Sequence, residues 1–239
     1  MDPKSKEVKP LRKFKTVAVA QTETGFQIQL DGKPTYTPER RVLESPRRVL
    51  MEAIAQEWTA QGGVMNPSAM PLTRLLATQL DRVATQRDAI IAGLVSYIDA
   101  DVLCYRAPHP AGLKARQDAV WQPILEWLAQ TFGISLVTVD GIAPARQSAA
   151  ASAAMVAVLE KLDDAALTAL QAAAAVTNSI VLSTALVHGR LDAAAAHAAA
   201  HLDELFQIEK WGEDEIARLR RDTIAADLEV ISRYLKLSV

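Results

Sequence analysis

Five carboxylates, Glu204, Glu209, Glu213, Asp214 and Glu215, stand around Trp211 and Gly212 in the stretch ELFQIEKWGEDEIARLRRD. Such a group suits general acid–base chemistry, a metal site, a docking surface or a plain helix–turn–helix. Glu213, Asp214 and Glu215 follow a glycine at the start of the last helix, where exposed amides and the macrodipole favour negative charge. Arg218, Arg220 and Arg221 lie at helical spacing to pair with them. His197 and His201, four residues apart, could face one metal, but three alanines separate them and there is no glutamate base of the HExxH kind. They read as a polar stripe on a solvated helix face. Asp99 and Asp101 are the remaining acid–base candidates for an enzyme. Cys104 is the one cysteine, so no internal disulfide is possible and a buried structural thiol is expected. No GxGxxG, GxxxxGK[ST] or GxSxG pattern occurs, which speaks against nucleotide hydrolysis and α/β-hydrolase chemistry.

The elements that must position these groups follow from periodicity. TVAVAQTE and GFQIQL alternate with period two, and Asp31-Gly32 suits a type I′ hairpin. KPTYTP is the expected third strand. Three strands cannot bury an apolar face alone, and Ser45-Pro46 opens a helix with Leu50, Ile54 and Trp58 every four residues, stopped by Gly62-Gly63. Pro71 opens a second helix and a third runs from about Gln86 to Ile98. Pro108 and Pro110 break the chain, and the following helix carries Leu113, Trp121 and Leu128 with Pro123 kinking or dividing it. ISLVTV reads as a short strand. From Gln147 onward everything reads as helix, with Asp163 or Asp164, Gly189, Asp192 and Gly212 as punctuation. The fold class is therefore α+β: a small N-terminal antiparallel β-sheet with helices, then an all-α C-terminal bundle. The expected divisions are a flexible tail over residues 1–14, an α+β domain over 15–110 and a helical domain over 111–239.

Composition narrows the function. Of the 239 residues 50% are hydrophobic but only 5% aromatic, and the surplus is alanine, which favours closely packed helices. A net charge of −2 gives no reason to expect nucleic acid or an anionic membrane as partner. Residues 165–189 lack Asp, Glu, Lys and Arg, yet their Thr, Ser, Asn and Gln content reads as a buried helix or two short ones, not a membrane span. The N-terminus lacks the apolar core of a secretory signal. A bacterial cytoplasmic chain is expected, with the mitochondrial matrix as the alternative, and a monomer.

Six blocks, in order, resemble one family. They are GFQIQLDGKPTYTP, IAQEWTAQ, MPLTRLLATQLD, IDADVLCYRAP, ARQDAVWQPILEW and FQIEKWGEDE. Together they are similar to the ATP synthase assembly chaperones of mitochondrial and alphaproteobacterial type that bind the alpha subunit of the F(1) sector. The chain departs from the pattern at Gln122, where relatives carry aspartate, and in EIARL, Glu215 to Leu219, where they continue Glu-Trp-Ala-His-Asp. The resemblance implies a non-enzymatic protein without cofactor or metal, which shields the alpha surface destined for beta. It implies client contact at Glu204, Gln207, Trp211, Gly212, Glu213 and Glu215, and structural or interface roles for Trp58, Asp101, Tyr105, Arg106 and Trp121. The alternative is a small enzyme using the Asp99, Asp101 or Glu213 carboxylates.

Overall fold

In the computed structural model, which describes residues 11–239, the alternating segments pair as the sequence predicts. Strand β1 (Val17–Gln21) runs antiparallel to β2 (Phe26–Leu30), with Val17 opposite Leu30 and Gln21 opposite Phe26. Asp31 and Gly32 both hold positive φ, 49° and 77°, as a type I′ turn requires. The Asp31 carboxylate also accepts from Thr16 N–H and Lys15 N–H, which hold it below the usual carboxylate range. The far side of β2 pairs with two short strands, β3 (Lys33–Pro34) and β4 (Glu44–Ser45). KPTYTP is thus a strand only at its first two residues; Tyr36 makes an isolated bridge to Val42. Among the described residues the sheet has four strands, not three. Gly25 lies where β4 crosses this hairpin, and a Cβ there would sit 2.6 Å from Ser45 O.

Helix α1 (Arg48–Thr59) covers this sheet with Leu50, Met51, Ala53 and Ile54, over Ile28 and Leu43. Each fully buried Leu or Ile contributes about 1.5–3 kcal/mol to holding the layers together. The helix starts later than Ser45-Pro46 suggests, because Ser45 stays paired with Phe26 and its hydroxyl accepts from Arg47 N–H. Helix α2 (Pro71–Thr78) opens on its proline. Its free amides are met by Glu57 of α1, whose carboxylate accepts from Leu72 N–H, Thr73 N–H and the Thr73 hydroxyl. A π-helical turn, Gln79–Val83, leads into α3 (Ala84–Val95). Of the expected tail, residues 1–10 lie outside the described residues. Leu11 bridges Val64, Arg12 N–H donates to Gly63 O at 2.9 Å, and the Phe14 ring lies 5.8 Å from that of Trp58.

Eight helices make the second body: α3, α4 (Ala111–Phe132), α5 (Ala149–Glu160), α6 (Asp164–Thr177), α7 (Ile180–Val187), α8 (Ala193–Ala200), α9 (Leu202–Trp211) and α10 (Glu215–Ser238). Residues 165–189 form two short helices, α6 and α7. Asn178 ends α6 at φ 52°, a left-handed conformation that Asn tolerates, and the Ser179 hydroxyl caps α7. Every residue of α7 from Ile180 to Leu186 is buried, which is why that stretch carries no charge. Asp163 and Asp192 cap α6 and α8. Pro123 does not divide α4. It lies on the exposed face, as does Ala119, so the carbonyl that loses its N–H partner can meet water. Of ISLVTV only Val139, with Asp140, is strand: β6 (Val139–Asp140) runs parallel to β5 (Tyr105–Arg106).

The contacts divide the chain after Arg82, not at the proline cluster near 110. One unit runs to Arg82 and includes Leu237–Val239; the other is Val83–Lys236. Val83, Ile90, Ile91 and Leu94 share one core with Leu113, Trp121, Leu128, Met155, Leu170 and Leu182. Prolines 108 and 110 mark a bend within that body.

Candidate functional site

Helices α9 and α10 meet at Gly212, whose φ of 88° reverses the chain. Three large apolar side chains at and just after the turn stand in water: Trp211 is 78% exposed, Ile216 79% and Leu219 52%. The scaffold beneath them is polar. Arg221, one helical face further along α10, is buried, and its guanidinium donates to Glu204 of α9 and to Glu213 in the turn. Arg220 adds a second contact to Glu204 at 3.0 Å. Burial pushes the Glu204 carboxyl up, but Arg221 and Arg220 pull it further down, leaving it below the usual range. Asp214 Oδ1 accepts from Ile216 N–H at 3.1 Å, and Glu209 takes a two-pronged ion pair from Arg116 of α4 at 2.6 and 2.9 Å.

The expected contact residues therefore separate. Trp211, Gly212, Gln207 and Glu215 are exposed, and Glu215 makes no ion pair among the described residues. Glu204 and Glu213 are engaged by Arg221, so they shape the turn rather than project from it. The histidines do not form a solvated stripe. His201 is buried, its ring lies 4.5 Å from that of His197, and His197 Nε2 donates to Arg221 O at 3.1 Å. Burial, and then the neighbouring His201, lower the His197 pKa. Among the described residues no group of three His, Cys, Asp or Glu side chains could hold a metal ion.

The other signature residues have their partners within the fold. Asp101 is fully buried and bridges distant segments: it accepts from Leu103 N–H, from the Ser179 hydroxyl and from Val181 N–H at 2.9–3.0 Å. Its carboxylate thus fills the N-terminus of α7. Burial raises its pKa, against the opposing pull of those donors. Burial and the Asp101 charge push the adjacent Cys104 thiol up to about 12, so it is no nucleophile at neutral pH. The Tyr105 hydroxyl donates to Asp99 O and accepts from Ala145 N–H. Arg106 is buried, pairs with Asp118 at 2.9 Å and lies over the Trp121 ring at 5.2 Å. Trp121 is 1% exposed and its indole N–H donates to Ala199 O. Trp58 packs on Phe14, half-buried.

Known proteins share this fold. Atp12 from Paracoccus denitrificans, a solved structure, is 35% identical and superposes with a TM-score of 0.89, covering 96% of this chain and 98% of that one. The model of the ATP12 chaperone protein family matches residues 11–129. The chain belongs to the ATP12 chaperone family. The mitochondrial Atp12 protein of the fission yeast Schizosaccharomyces pombe is 23% identical over 202 residues, 80% of this chain and 69% of its own length. Within the family frame, the residues that sequence inspection passes over are those that work at long range. Glu57 and Gln117 are examples: Gln117 is buried in α4, accepts from Ala107 N–H and donates to Asp203 of α9. A carboxylate directly before Trp58, two residues from the end of α1, is the one local hint at Glu57; Gln117 has none.

Proposed function

We propose that this chain is an assembly chaperone of the ATP synthase, which holds the free alpha subunit of the F(1) sector and covers the surface that beta later occupies. Family membership supports the chaperone class, and the exposure of Trp211, Ile216 and Leu219 beside the Arg221 ion pairs carries the assignment of the contact site. An assembly surface awaiting its partner is apolar with scattered basic groups. Trp211 offers it a large rigid anchor, worth on the order of 3 kcal/mol on burial. Glu215 and Asp214 at the rim guide encounter and contribute little affinity, about 1 kcal/mol each at most, which keeps the complex reversible. The role needs no cofactor and no covalent chemistry, and a monomer suffices. The Asp99, Asp101 and Glu213 carboxylates, the alternative catalytic acids, each already accept hydrogen bonds from partners within the fold. No helix among the described residues is long and apolar enough to cross a membrane; the bacterial cytoplasm or the mitochondrial matrix is the compartment that fits the relatives.

Co-expression with alpha in the absence of beta tests this. The tagged chain retains alpha on the resin. Trp211→Ala lowers capture by about tenfold or more with an unchanged thermal melt, because the indole touches little of its own protein. Glu215→Lys weakens capture most at low salt. Glu213→Lys is a poorer probe, since it places a lysine against Arg221. Equal capture by wild type and Trp211→Ala overturns the site; no retention of alpha by the wild type overturns the function.

A further inference from the structure

The hairpin leaves one side of its first strand open. Asp31 N–H donates to Thr16 O at 3.1 Å and Thr22 N–H to Gly25 O at 2.8 Å. By the alternation of an antiparallel pair, the backbone groups of Thr16, Ala18, Ala20 and Thr22 face β2, and those of Val17, Val19 and Gln21 face away from it. Among the described residues no strand pairs with β1 on that side, and no hydrogen bond reaches those outward groups. The layer beneath α1 is incomplete at the same place. Ile28 in the middle of the sheet is 0% exposed, whereas Val19 opposite it and Val17, on the same face, are only half-buried. Sheet edges are ordinarily guarded by a charge, a proline, a bulge or a covering segment. The strand VAVAQ has no charge and no proline, and it pairs with β2 over all five residues without a bulge.

We propose that this edge pairs antiparallel with the same edge of a second copy of the chain, across a two-fold axis at Val19. A row of outward N–H and C=O groups is matched in full only by another extended backbone. With Val19 of the two copies opposite each other, Val17 meets Gln21 and every residue of both strands is used. A slip in either direction leaves an end unpaired. The charges at the two ends agree with this register. Lys15 precedes the strand by two residues and Glu23 follows it by two; both are exposed, and neither makes an ion pair among the described residues. Asp31 feels the Lys15 charge weakly, after the backbone bonds that hold it. Antiparallel pairing brings Lys15 of each copy to the end where the other carries Glu23, so the edge is complementary to itself, as a two-fold contact requires. The half-buried valines then gain a neighbouring strand. Two five-residue edges make a small contact, of the kind under about 1,200 Å² found in weak, transient associations. The dimer therefore forms at high concentration and dissolves on dilution. The pairing does not rest on the chaperone reading, for which the monomer suffices.

The test follows amide hydrogen exchange and sedimentation of the full ¹⁵N-labelled chain from micromolar to millimolar concentration. The amides of Val17, Val19 and Gln21 exchange fast in dilute solution and several-fold more slowly when concentrated, in step with a dimer in sedimentation. Those of Ala18 and Ala20, already bonded to β2, change little. Lys15→Glu alone and Glu23→Lys alone each weaken self-association about tenfold, since like charges then meet at both ends of the paired strands. An equimolar mixture of the two variants restores it, because each chain meets the opposite charge in the other. Neither variant changes the circular dichroism, and the recovery on mixing is one that a folding defect does not show. Absence of concentration-dependent protection at Val17, Val19 and Gln21, or a mixture that associates no better than its parts, overturns the proposal. Protection of these amides only when alpha is added assigns the edge to the client instead and overturns it as well.

Discussion

Asp101→Ala lowers the stability of the helical body by about 3–5 kcal/mol. The carboxylate is fully buried and takes hydrogen bonds from Leu103 N–H, the Ser179 hydroxyl and Val181 N–H. Alanine leaves these donors without an acceptor in a place water does not reach. Each orphaned buried group costs about 1–3 kcal/mol, and the Ser179 hydroxyl can partly recover by rotating. The damage falls on α7, the helix buried on every side, so it spreads to the core formed by Val181, Leu182 and Ala185. Urea unfolding followed by circular dichroism gives the value. Asp101→Asn loses less, because one oxygen still accepts. A midpoint for Asp101→Ala within about 1 kcal/mol of wild type shows that α7 is held by its apolar contacts alone.

Arg221→Met costs about 2–3 kcal/mol and also weakens client capture. Removing one member of a buried ion pair costs about 3–5 kcal/mol when both charges are enclosed. Here Arg221 is enclosed, but Glu204 and Glu213 keep 25% and 42% of their side chains in water, so solvent absorbs part of the loss. The stranded carboxylates repel each other across the turn, and the frame beneath Trp211 loosens. Adding Glu204→Gln to Arg221→Met restores part of the stability, a recovery that a simple packing defect does not show. The pH dependence has a defined sign. Glu204 has a folded pKa below its unfolded value of 4.5. Its contribution is therefore present above about 4.5 and is lost as pH falls through the lower folded value. In Arg221→Met this acid-side loss shrinks, so wild type and variant converge on acidification.

The part of this fold that shows in the sequence is the part set by neighbours. Alternation in β1 and β2, the Asp31-Gly32 turn, the caps at Asp163 and Asp192 and the uncharged run of α6 and α7 are all local signals, and each is in place. The division of the chain is not local. A proline pair at 108 and 110 looks like a linker, whereas membership of a core depends on which apolar faces meet, and α3 meets α5 and α6. The site is legible in its ingredients and not in its wiring. Arg221 at helical spacing from the acids after Gly212 suggests surface pairs along α10, but it is buried and clasps Glu204, 17 residues back on the preceding helix. Asp101 meets its partner Ser179 78 residues away. No periodicity within either segment encodes such a meeting, because it is fixed only when α7 docks. Exposure of Trp211 was equally undetermined, since an indole at an interhelix turn can fold inward onto both helices as well as outward.

The most direct measurement is competition between beta and this chain for alpha. Purified alpha is loaded with the labelled chain, beta is added in increasing amounts, and the species are resolved by size and label. Release of the chain in step with formation of an alpha–beta complex is the expected result, with no particle containing all three. A stable ternary complex, in which beta joins alpha while the chain stays bound, contradicts it and places the chain on some other face of its client.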